Sequence, residues 1–232
     1  MYWDYYILGI ILLPGLILSI YAEIKVKTTF DKYSKTLAEC GKTASEIARM
    51  FLNYAGLQDI EIVRTKGFLT DYYNHNKKII GLSSSVYDSS SLSAIGVACH
   101  EVGHALQYKS KYIPIKLRNV IIPVCNISNY LLWPLVVIGA VLYYTNLGQI
   151  FILIGVGIFA LSVLLNLVTL PVEYNASKRA CKILLNSTVL QEEEVNCVRS
   201  VLNSAALTYV AGLIISILNL LRFVLVFVRR RD

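Results

Sequence analysis

Ionised side chains are scarce in this sequence: Asp, Glu, Lys and Arg make up 16% of its 232 residues, against 56% hydrophobic. A soluble domain carries about a quarter of its residues as charges, so this deficit excludes an ordinary soluble enzyme as well as a disordered chain. Acidic groups are fewer than basic ones. The resulting net charge of +7, set beside apolar runs, suits an anionic lipid surface and not nucleic acid. Cysteines are few and unpaired in pattern. Cys40, Cys99, Cys125, Cys181 and Cys197 are odd in number and scattered, which excludes a disulfide framework and a Cys-x-x-Cys zinc site. Internal repeats and low-complexity segments are absent too.

The missing charge is concentrated in blocks. Tyr5 to Ala22 contains none and is followed by Lys25, Lys27, Lys32 and Lys35. A signal peptide would put its basic residues first, so this run reads as a retained anchor. No ionised side chain lies between Arg118 and Glu173, which is chain enough for two crossings joined by a turn at Thr145 to Gln149. A fourth apolar run covers Ser200 to Leu221 and ends in Arg229-Arg230-Arg231; it reads as a transmembrane or an interfacial helix. Its stripe of Thr208, Gly212, Ser216 and Asn219 reads as helix packing.

Lys and Arg near span ends favour the cytoplasm. Lys25 to Lys35, Lys109 to Arg118 and Lys178 to Lys182 therefore belong on that side, and the uncharged turn on the other. The expected fold class is a mainly α membrane protein with a small α+β cytosolic domain. Its parts are an anchor (1–22), a cytosolic domain (23–118), a transmembrane hairpin (119–171), cytosolic helices (172–199) and a C-terminal helix (200–232). Within 23–118, Thr43 to Tyr54 reads as a helix with a Thr43/Glu46 capping box. Ile60 to Arg64 and Lys78 to Leu82 read as strands, Tyr72 to Lys77 as a turn, and a second helix runs from Ser91 through His104.

That second helix carries the chemistry. His100-Glu101-Val102-Gly103-His104 places two imidazoles one helical turn apart on one face, where both reach one cation while Glu101 borders the open coordination position. A catalytic zinc takes three protein ligands and a water, so a third ligand is needed. His75, the only other histidine, sits in a turn-like segment. Glu173 is the first charge after the uncharged block, and two crossings return the chain to the side it left.

Four strings resemble the bacterial membrane-bound neutral zinc metallopeptidase family over almost the whole chain: residues 26–34, 69–73, 100–107 and 170–177. The order of zinc helix, membrane hairpin and Glu-bearing helix is also similar to that of heat-shock and prenyl-protein membrane endopeptidases. The resemblance implies a zincin-like domain, Zn2+ as cofactor and Glu173 as third ligand. It also implies an Asp four residues after that Glu, where this chain has Ser177, so Ser177 or Asn175 is expected to steady a zinc histidine instead.

The activity this implies is endopeptidase hydrolysis of peptides or membrane proteins, with Glu101 as general base. Tyr72, Tyr73, Tyr174, Tyr209 and Arg179 have the chemistry for oxyanion support. Phe68 to Tyr72 is the expected edge for an extended substrate. The competing reading is a non-catalytic, zinc-stabilised membrane scaffold, which has no use for Glu101. An intramembrane protease would bury the motif in an apolar span, whereas here polar serines precede it and Lys109 and Lys111 come after it.

Overall fold

The computed structural model describes residues 9–142 and 144–229. In chain order the elements are α1 (Leu13–Tyr33), α2 (Ala44–Tyr54), β1 (Glu61–Thr65), β2 (Tyr72–Asn74), β3 (Ile79–Ser83), α3 (Leu92–Lys109), α4 (Ile113–Val141), α5 (Asn146–Ser187) and α6 (Glu192–Arg229). The protein is mainly helical with one small sheet. Among the described residues, α4, α5 and Glu192–Leu225 of α6 are long and apolar enough to cross a membrane. Residues 1–8 of the expected anchor, Tyr143 and the terminal residues 230–232 lie outside the described residues.

The chain forms two compact units. One contains the chain up to Tyr21, Ile113–Pro171 and the chain from Thr208; the other contains Ala22–Tyr112 and Val172–Leu207. In the first unit, α4 continues through Pro123 and Pro134. Thr145 starts α5: its hydroxyl accepts the Gly148 N–H at 3.1 Å and its carbonyl accepts the Gln149 N–H. Small residues let the helices close up. A methyl group added at Gly15 would meet Ile215, one at Gly139 would meet Ile152, and Gly212 faces Asn166. Outward, α4 exposes Val120, Ile127 and Trp133, an apolar surface that lipid would cover.

The second unit holds the main core, in which Ile47, Phe51 and Leu52 of α2 join Ile80 and Leu82 of β3 and Ile95, Ala98, Cys99 and Val102 of α3. Both helix starts arise from local chemistry. Thr43 and Glu46 form a reciprocal capping box on α2, and Ser91 caps α3 by accepting the Ala94 N–H at 3.3 Å. The helix α3 runs five residues beyond His104, ending at Lys109.

The sheet has the order β1-β3-β2, with β1 parallel and β2 antiparallel to β3. The strands β1 and β3 each lie one residue later than the sequence pattern suggests. The segment expected to be a turn opens with the edge strand β2 instead, and the turn itself begins at His75. Of the expected substrate edge Phe68 to Tyr72, only Tyr72 is in a strand. Asp71 ties this corner together, its carboxylate accepting the Ser83 N–H at 2.7 Å and the Ser83 hydroxyl at 3.2 and 3.1 Å.

Leu52 is fully buried in the core against which the zinc-motif helix packs. Leu52→Ala should cost about 2 to 5 kcal/mol, and Thr43→Ala only about 1 kcal/mol through loss of the cap. Thermal unfolding of the detergent-solubilised protein, followed by circular dichroism, checks that order.

Candidate metal centre

Helix geometry sets the first two donors. His100 and His104 project from the same face of α3, their rings 4.8 Å apart at 86°. The third comes from α5, where Glu173 is 2% exposed, a depth at which a carboxylate needs partners. Its Oε2 lies 3.2 Å from His100 Nε2 and 3.5 Å from His104 Nε2. All three donor atoms fall within 4.8 Å of one another. Ligands about 2 Å from a tetrahedral zinc stand roughly 3.3 Å apart, so the set fits the ion with little movement.

The fit extends to the far side of each ring. His104 Nδ1 lies 3.0 Å from Gln107 Oε1. The Gln107 amide donates to the Val172 carbonyl at 2.7 Å and to Asn175 Oδ1 at 3.1 Å, so its Oε1 is left to accept. The proton on His104 therefore belongs on Nδ1, and Nε2 keeps its lone pair toward Glu173. His100 Nδ1 lies 3.1 Å from Ser177 Oγ. Of the two expected substitutes for the missing Asp, Ser177 contacts a zinc-motif histidine directly; Asn175 reaches the other only through Gln107.

Glycine makes the convergence sterically feasible. A methyl group built on Gly103 would overlap the Ala176 carbonyl oxygen, lying closer than real side-chain carbons approach. Only a residue without a side chain lets α3 and α5 come this near.

Glu101 is buried beside these groups, at 8% exposure. Loss of water lifts its carboxyl above the usual carboxylate range. His104 and His100 pull the other way, while Glu173 and Asp71 add to the rise. Asp71 is itself raised by burial. A carboxylate made more basic in this way, beside a cation site, has the chemistry to take a proton from water.

Other sequence candidates fall elsewhere. His75 is not among the three converging donors; its ring stacks on Tyr108 at 3.9 Å and its Nδ1 meets the Tyr73 hydroxyl at 3.2 Å. Burial pushes the Tyr73 phenol up to about 12. Tyr72 covers Gly81 on the sheet, and Tyr174 is 46% exposed. Arg179 donates to Asn175 Oδ1 at 2.7 Å. Cys99 packs in the core, its thiol driven upward by burial. Sequence reasoning missed Gln107 and Asp71. For Gln107 the signal was present: it stands three residues after His104, on the same side of the helix.

Residues 8–228 match the family described as "Putative neutral zinc metallopeptidase". Over 217 residues, covering 93% of this chain and 94% of the relative, the sequence is 45% identical to the Bacillus subtilis (strain 168) protein named "Putative membrane protease YugP". No solved structure matches. The chain belongs to the neutral zinc metallopeptidase family.

Gln107→Ala and Ser177→Ala remove the groups behind the two imidazoles and should each weaken zinc binding about 10- to 100-fold. Gly103→Ala forces α3 and α5 apart and should weaken it further. Competition with a zinc-chelating dye measures all three; unchanged affinity in Gln107→Ala would separate that side chain from the centre.

Proposed function

We propose that this family member is a membrane-anchored zinc endopeptidase, with His100, His104 and Glu173 as metal ligands and Glu101 as general base. The observation that carries the reading is the convergence of three metal-ligating atoms from two helices, with a buried carboxylate alongside. The small sheet, the zinc-motif helix and the distal Glu together support a zincin-like assignment for the domain.

Bound at these three ligands, zinc supplies a Lewis acid for the scissile carbonyl and lowers the pKa of water. The chain's own residues do the rest. Glu173 contributes the negative charge that two neutral imidazoles lack, while Gln107 and Ser177 keep the rings aimed. Glu101 accepts the proton of the attacking water on its carboxylate and delivers it to the leaving amine. An edge strand presents unpaired backbone groups, and β2, which packs against α3, is positioned to hold an extended peptide by strand addition. The substrate class is thus an unfolded or extended segment of a peptide or membrane protein, which fits a role in processing or quality control.

The basic segments support a cytoplasmic catalytic side, while Arg229-Arg230-Arg231 count against it if α6 crosses. Lys25 to Lys35, Lys109 to Arg118 and Lys178 to Lys182 flank the apolar runs on one side, and the turn before α5 carries no charge. The arrangement is then multi-pass, with the turn outside.

Glu101→Gln should keep stoichiometric zinc and lose hydrolysis of a casein-type substrate by about 100- to 10,000-fold. A scaffold would show no hydrolysis to lose. Glu173→Ala should instead lose the metal; retained zinc with near-normal activity would remove Glu173 from the ligand set. For topology, a membrane-impermeant thiol reagent applied to whole cells, with native cysteines replaced, should label a cysteine at position 146 and spare one at 74. The reverse pattern would place the site outside.

A further inference from the structure

The second unit contains a groove on the other side of the zinc-motif helix. Leu106 comes two residues after His104, about 200° round the helix, and lines this groove with Met50, Phe51 and Tyr54 of α2 and Ile183 and Val189. Its volume, about 570 Å³, is the size of a small-molecule site and too small for a partner helix. The lining is mostly apolar. Among the described residues its charged members are Arg179 and Lys182, and no carboxylate lines it.

The Arg179 guanidinium is held in place by neutral groups, with no carboxylate paired to it among the described residues. Its Nε donates to Asn175 Oδ1 at 2.7 Å, its Nη1 donates to the Leu106 carbonyl at 3.4 Å, and the group lies 5.9 Å from the Tyr112 ring. These are neutral partners. Tyr112 is the residue immediately before α4, an apolar helix of spanning length. The groove thus offers an apolar trough, one preset guanidinium and one exposed ammonium, close along the chain to a membrane-spanning segment.

We propose that this groove binds an anionic phospholipid, its acyl chain along Met50, Phe51, Leu106 and Ile183 and its phosphate at Arg179 and Lys182. Charge complementarity selects an anion, and the apolar walls select one that carries a hydrocarbon chain. None of the three candidate metal ligands lines the groove, although Arg179 shares the acceptor Asn175 Oδ1 with Gln107 behind His104, and lipid binding requires no peptidase activity.

Fluorescent phosphatidylglycerol and phosphatidylcholine with identical chains, titrated onto the full-length protein in neutral detergent, test this. Phosphatidylglycerol should bind about ten-fold more tightly, and Lys182→Gln should remove that preference. Ser187 also lines the groove, and Ser187→Trp, which fills it, should reduce binding of both lipids. Glu101→Gln protein should bind them as wild type does, so failure of the peptidase reading and failure of this one are distinguishable. Equal affinity for the two lipids, or unchanged binding in both groove variants, would overturn the proposal. So would displacement of the lipid by glycerol 3-phosphate at similar concentration, which would indicate a phosphate site without a chain, or by an acidic peptide.

Discussion

Two helix backbones meet where Gly103 faces the carbonyl of Ala176, and the distance between them decides whether three ligands share one cation. A side chain at position 103 would collide with backbone, which has no rotamer by which to yield. The zinc motif supplies two imidazoles on α3, but these become a site only when α5 brings Glu173 within about 3 Å of them. Val102, within the motif, and Ala105, just after it, are buried, as are Val172, Ala176 and Ala180, so small and β-branched side chains line the approach. Packing and chemistry therefore impose the same demand on this stretch of α3.

Burial then controls what the polar groups do. Gln107, fully buried, would be costly unless every hydrogen bond were made. It makes them to Val172, Asn175 and His104, linking α3 to α5 and fixing one imidazole in a single act. The same low-water setting lifts the Glu101 carboxyl. A carboxylate that stayed fully solvated would be too weak a base at neutral pH, whereas one raised by burial is better matched to proton transfer from water.

Much of this was legible in the sequence because it depends on short-range rules. The Thr43 and Ser91 caps, the i and i+4 histidines and the uncharged block between Arg118 and Glu173 are each written in adjacent residues. Strand β2 was not, for a physical reason. Asn74, His75 and Asn76 give this stretch the polar composition of a turn, and only pairing with Gly81, Ile80 and Ile79 makes Tyr72, Tyr73 and Asn74 a strand. Asp71 was hidden for the same reason: its partner Ser83 is twelve residues away. Glu173 was reachable by topology alone only as one of two alternatives with His75, since nothing local separates a ligand carboxylate from one that offsets a helix dipole.

The serine at position 177 changes the electrostatics of the centre. An aspartate there would place a second negative charge behind His100 and make that imidazole more electron-rich. Ser177 offers a neutral hydroxyl, and Gln107 offers His104 a neutral amide, so both rings have uncharged partners. If His100, His104 and Glu173 held a divalent cation, Glu173 alone would bring negative charge, leaving one formal positive charge uncompensated. Such a surplus would add to the polarisation the ion supplies, and it would favour the ionised form of Glu101, opposing the rise that burial produces. A neutral group at position 177 would leave that surplus undiminished, where an aspartate would offset part of it.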